Sequence, residues 1–218
     1  IMSADTYLNL INDKRTNAKL RRVNNEMVIK ALRGLEEEEL TYDNDATYFD
    51  SDKESASYSY QKRKQFSGLL GCIAELGMIN TVDFRRGNVS PQTGVMNQLK
   101  KAVNQAKAAG KRIKDFRSDS AAYCMKVMAY CDVNEVNYFI SADKDKAVRR
   151  TIAKIKASQW QMLQGEYAKN DGTQWAETRH VMSKGFAVRM MVLRWKNPDP
   201  DLFESSPYCY HAIVTNDF

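Results

Sequence analysis

The chain has 218 residues, 43% of them hydrophobic and 10% aromatic, with a formal net charge of +6. That length suits one large domain, or a core carrying an insertion. No stretch approaches the ~20 apolar residues of a membrane-spanning helix, which argues against an integral membrane protein.

Residues 5–35 place Leu8, Ile11, Leu20, Val23, Met27, Val28 and Ala31 at roughly helical spacing, and Gly34 reads as the stop. Residues 36–39 are an acidic approach to a strand over 41–49. The period of two puts Thr41, Asp43, Asp45 and Thr47 on one face of that strand. Residues 50–59 are polar and turn-like. Residues 65–75 and 78–84 read as two strands around a turn at Gly77, so the first three strands form an antiparallel run.

Gly87-Asn88 ends the third strand, and Pro91 opens a helix whose stripe is Val95, Leu99, Ala102, Val103 and Ala106. Gly110 is its stop. Residues 113–117 form a short strand that delivers Asp119. A helix over 122–131 and a strand over 136–142 follow. Alternation after the third strand predicts parallel pairing with the first. Residues 144–155 look helical, and 175–182, 187–196 and 208–215 read as strands.

The cysteines at 72, 124, 131 and 209 form no C-x-x-C and read as free thiols of a reducing compartment, with Cys124 and Cys131 on one apolar helix face. His180 and His211 are the only histidines, too far apart in sequence to support a zinc site or a Ser-His-Asp triad. No basic-then-apolar leader opens the chain, so secretion is not expected. Ile1 suggests a piece of a longer protein. Basic residues cluster at Lys14-Arg15, Arg21-Arg22, Lys62-Arg63-Lys64, 107–114, and Arg149-Arg150 with Lys154 and Lys156. Such a field favours phosphate backbones without regard to sequence; a solvated helix surface is the plainer reading of Lys154 and Lys156.

Two stretches place aspartates at or near the end of extended apolar segments: Thr41-Tyr42-Asp43-Asn44-Asp45-Ala46-Thr47 and Arg117-Ser118-Asp119-Ser120-Ala121-Ala122-Tyr123. Ligands and metals are held at strand ends in α/β sheets. Two carboxylates brought together there suit a hard divalent cation and two-metal phosphoryl transfer. The plainer alternative is a pair of solvated turn aspartates.

Asp43-x-Asp45-Ala46-Thr47, Phe84-Arg85-Arg86-Gly87-Asn88-Val89, Arg117-Ser118-Asp119-Ser120 and Ser141-Ala142-Asp143 stand in that order. The run resembles the DDE transposases of bacterial insertion sequences, in the group with D-x-D-x-T, R-x-GN and R-x-DS segments, from about Leu35 to the C-terminus. The resemblance implies an α/β fold with an RNase H-like mixed five-stranded sheet flanked by helices. It divides the chain into an N-terminal helical segment (1–38), a catalytic core (39–143), and a helix plus β-rich insertion leading back toward the core (144–218).

It also implies hydrolysis and strand transfer at transposon ends. Asp45 and Asp119 are the expected catalytic and metal-holding residues, with Mg²⁺ or Mn²⁺ as cofactor. Asp43 is either a supporting group or the ligand itself. Lys62, Arg63, Lys64, Arg85, Asn88 and Arg117 are the expected DNA contacts. A turn role for Arg85 and Asn88, and an ion pair for Arg117, are the alternatives.

The expected partners are double-stranded DNA, as transposon ends and target, and a second copy of the chain when assembled on DNA. The expected location is cytoplasmic and nucleoid-associated. The family's third acidic residue, a glutamate on a later helix, has no match here: Glu177 and Glu204 lie in the insertion and Asp217 comes too early. The chain is therefore expected to be inactive alone. A non-catalytic DNA-binding relic, or an RNase H-like nuclease of other biology, are the competing expectations.

Overall fold

The computed structural model describes residues 14–165, 172–198 and 206–217. Among the described residues the α-helices are α1 (Lys14–Arg33), α2 (Val95–Ala108), α3 (Met125–Val133) and α4 (Lys146–Ala153). The strands are β1 (Glu39–Asp50), β2 (Ser57–Tyr58), β3 (Lys64–Ile73), β4 (Met78–Arg86), β5 (Arg112–Ser118), β6 (Asn137–Ser141), β7 (Gln161–Met162), β8 (Gln174–Val181), β9 (Ala187–Lys196) and β10 (Tyr208–Thr215). No helix among the described residues is long and apolar enough to cross a membrane. Residues 5–13 of the expected first helix lie outside the described residues.

β1, β3 and β4 pair antiparallel, and β5 and β6 join the other edge of β1 in parallel. The order β4-β3-β1-β5-β6, with these directions, is the RNase H-like core. The β-rich segment does not form a layer of its own. β10 pairs antiparallel with β6, and β9, β8 and β7 follow, so one ten-stranded sheet runs through the molecule.

The helices supply a single core on one sheet face. Val28 and Leu32 of α1, Leu99 and Val103 of α2, Met128 and Cys131 of α3, and Val148 and Ile152 of α4 pack with Tyr42, Leu69, Phe116, Ile140 and Val214 of the strands. Period two on β1 explains the assignment: Leu40, Tyr42 and Asn44 are buried, while Asp43 is half-exposed and Asp45 exposed on the other face. The C-terminal half of α1 belongs to this core. Asn25 accepts from Gln105 Nε2 at 2.9 Å, and Arg33 donates to the Ala108 carbonyl at 3.0 Å.

Two helix starts differ from expectation. Residues 91–94 are turns, and α2 begins at Val95 after Gly94 at φ 95°. The reason is Arg85, whose guanidinium donates to the Ser90 and Thr93 carbonyls and holds this loop off the helical path. The second is α3, which begins at Met125. Asp119 caps a separate 3₁₀ turn over Ser120–Ala122, and extended Cys124 (φ −147°) precedes the helix.

Candidate active site

The β1–β5 ladder runs to Asn44 opposite Ser118, where β5 ends. Asp45 is therefore the first β1 residue past the end of β5, and Asp119 the first residue after β5. The shared face of the two depends on a register shift between Leu40 and Thr41: Leu40 pairs Ile113, but Thr41 pairs Asp115. The extra β5 residue, Lys114, is a bulge that moves every later β5 side chain to the opposite face. Phe116 then stacks on Tyr42 in the core, ring centroids 5.8 Å apart, and Arg117 and Asp119 fall on the face of Asp43 and Asp45. Glu39 grips the residues on both sides of Ile113, with Arg112 at 2.7 Å and Lys114 at 2.6 Å.

Each carboxylate of the pair is anchored by one oxygen. Asp45 Oδ1 accepts from the Ala46 N–H at 2.7 Å, and Asp119 Oδ1 from the Ala121 N–H at 2.9 Å. The Asp119 carboxyl is pushed above the ordinary carboxylate range. Partial burial is the largest cause, the Ala121 N–H opposes it, and the negative charge of Asp45 adds to it. The two groups thus sense one another, as a pair of oxygen donors for a shared cation would. No group of three or more His, Cys, Asp or Glu side chains placed to hold a metal is found among the described residues.

The remaining sequence-selected residues separate into distinct roles. Asp43 receives both Arg117 Nε at 2.6 Å and Arg117 Nη2 at 2.7 Å, a bidentate pair beside Asp45. That pairing occupies Asp43 as a support of the site and lifts the Arg117 pKa, its hydrogen bond to Asp43 being the chief cause. Arg85 is buried, donates to Ser67 Oγ at 3.1 Å and to the 90–93 loop, and so braces that loop, in keeping with the turn role.

The neighbouring Gly87 is required by close approach. An added Cβ would lie 2.4 Å from the Gln65 carbonyl oxygen and 2.6 Å from that of Ser57. Asn88 is exposed on the loop. Lys62 and Arg63 are exposed and Lys64 half-buried at the tip between β2 and β3, with Arg63 3.7 Å from Asp50 and Lys64 Nζ 3.2 Å from the Asp52 carbonyl. Glu177 is engaged by Arg189 at 2.8 Å, and Glu204 lies outside the described residues.

Sequence reasoning missed the support beneath the pair. Asn44, buried between Asp43 and Asp45 in sequence, donates to Gln98 Oε1 at 2.8 Å and to the Leu70 carbonyl at 3.0 Å. Gln98 Nε2 donates to the Leu69 carbonyl at 2.9 Å, and Thr81 Oγ1 to Gln98 Oε1 at 3.1 Å. Tyr42 and Thr81 share a hydroxyl hydrogen bond of 2.8 Å. An added Cβ at Gly71 would lie 2.1 Å from both hydroxyl oxygens, so the network fills the space that Gly71 leaves. A polar residue at 98, at a core-facing position of the apolar α2 stripe, was the available signal.

A search of curated proteins finds no match. Among solved structures, the chain is similar to the piggyBac transposase seen by cryo-EM in a synaptic complex with hairpin DNA, at 12% identity and a TM-score of 0.45. That alignment covers 98% of this chain and 44% of the other, so the chain spans less than half the length of that transposase. The family model described as transposase DDE domain group 1 matches residues 5–196. Since this is most of its length, the chain belongs to the transposase DDE domain group 1 family.

Proposed function

We propose that this chain is the catalytic domain of a DNA transposase, with Asp45 and Asp119 as its first two metal-holding carboxylates. The observation that carries the reading is their placement on one face at the step where β1 outruns β5, each anchored by one backbone N–H. The residues fit a hard cation, because the donors are carboxylate oxygens whose mutual repulsion a cation would relieve. Mg²⁺ or Mn²⁺ held there would activate water and stabilise the leaving 3′ oxygen of a phosphodiester. Asp43 orients Arg117 beside the pair, where the guanidinium is placed to neutralise a phosphate. Exposed Lys62, Arg63 and Asn88, with Lys64, provide backbone contacts to double-stranded DNA, at transposon ends and target.

Two carboxylates alone should bind metal weakly, and among the described residues no third joins the pair. Strand transfer, and assembly of two copies on DNA, complete the proposed activity. The test is a Mn²⁺ titration followed by thermal unfolding. Metal should stabilise the wild-type chain, and Asp45→Asn or Asp119→Asn should remove the effect while leaving DNA binding intact. Either variant responding to Mn²⁺ like wild type would refute the assignment. A non-catalytic DNA-binding domain of the same fold would bind DNA and show no metal response in any form.

A further inference from the structure

The turn between β2 and β3 carries two of the most exposed large side chains among the described residues. Tyr58 is 70% and Tyr60 73% solvent-exposed, although both are aromatic rings. They flank Ser59, which is buried and hydrogen-bonded through Oγ to Gln65 Oε1. Ser59 thus turns inward at the start of the turn while both tyrosines face outward.

The turn is held rigidly. Ser59 N–H donates to the Arg63 carbonyl at 2.9 Å, Lys62 N–H to the Ser59 carbonyl at 3.0 Å, and Lys62 takes a left-handed φ of 59°. Gln65 ties the tip to β1 by donating to Asp50 Oδ1 at 2.6 Å. Three cations, Lys62, Arg63 and Lys64, follow the rings directly.

The Tyr60 ring is braced by β1: it meets Tyr48 edge-on, with centroids 5.5 Å apart, on the strand face of Tyr42 and Asn44.

Resting on the DNA reading above, we propose that Tyr58 and Tyr60 form a stacking platform for an unpaired nucleotide, with Lys62, Arg63 and Lys64 holding its phosphates. Exposed aromatic faces next to cations are the chemistry by which single-stranded nucleic acid is held irrespective of sequence. A paired base offers no free face to such rings. The platform therefore distinguishes a splayed or overhanging DNA end from an intact duplex.

The experiment measures binding of the chain to two oligonucleotide duplexes of equal length, one fully paired and one ending in three unpaired nucleotides that carry 2-aminopurine. Wild type should bind the splayed end more tightly and change the 2-aminopurine fluorescence. Tyr58→Ala with Tyr60→Ala should cost about tenfold in affinity per stacked base for the splayed end. The same variant should leave the paired duplex within about twofold. Tyr58→Phe with Tyr60→Phe, which keeps the rings, should restore both affinity and fluorescence; thermal unfolding confirms that all variants fold.

Equal loss on both duplexes, no loss on either, or failure of the phenylalanine pair to rescue would each overturn the proposal while leaving the DNA reading intact. A wild-type chain that binds neither duplex would overturn the DNA reading, and this proposal with it.

Discussion

Truncating Gln98 should loosen β1 without touching either carboxylate. Gln98 is 6% exposed and makes the hydrogen bonds that tie Asn44, Thr81 and the Leu69 carbonyl together. In Gln98→Ala these three bonds vanish. Asn44 keeps the Leu70 carbonyl, and Tyr42 and Thr81 keep each other. With roughly 0.5–1.5 kcal/mol net for each lost bond, and some cost for the emptied volume, the expected destabilisation is about 3 kcal/mol. For a chain of this length that corresponds to a fall of roughly 6–12 °C in Tm. Urea unfolding followed by circular dichroism reads the free energy, and the slope m should stay unchanged because the unfolded surface is the same. Since Asn44 separates Asp43 from Asp45, Mn²⁺ stabilisation should also weaken. A loss below about 1 kcal/mol at unchanged m would refute the view that this network holds β1 in place.

The pH dependence of Asp119 has a defined sign. Its raised carboxyl pKa favours the folded state below the unfolded value of about 3.9 and loses that contribution as pH rises through the folded value. Asp119→Asn should therefore gain stability relative to wild type between about pH 3 and about pH 7, and a gap that stays constant over that range refutes the coupling. Arg117→Ala breaks the bidentate pair with Asp43, but the side chains are 55% and 38% exposed, so thermal unfolding should show a loss of only about 0.5–1 kcal/mol. A loss above about 2 kcal/mol would mean that the pair does more than orient a surface guanidinium. Gly87→Ala must displace the β3 and β2 backbone, so it should destabilise by about 2 kcal/mol or more in urea unfolding; a neutral result would show that the loop relaxes freely.

The local features were legible because local chemistry sets them. Period two put Thr41, Asp43 and Asp45 on one face of β1, the face opposite buried Leu40, Tyr42 and Asn44, and Gly77 and Gly110 marked the turns that follow β3 and α2. Long-range pairings were less legible. In Arg85-x-Gly87-Asn88 a basic residue before a turn looks like a phosphate contact. Burial of Arg85 follows only from carbonyls of residues 90 and 93, which the turn then brings within reach. The β-rich segment was read strand by strand, but its attachment to β6 is decided by a free edge at that position, which no local pattern reveals.

The shared face of Asp45 and Asp119 is the most consequential of these long-range effects. Had β5 paired with β1 without the bulge at Lys114, Asp45 would stand opposite Ser118, and Asp119 would turn toward the helices. Phe116 would turn the other way and leave Tyr42 without its stacking partner. The core and the carboxylate pair therefore demand the same register. Burial of Phe116 on one face is what commits Asp119 to the other. Glu39, holding Arg112 and Lys114 on either side of Ile113, reinforces that choice from the surface. The irregular residue in an otherwise regular ladder is thus the link between packing and chemistry in this sheet: hydrophobic burial selects the register, and the register aligns the two acids.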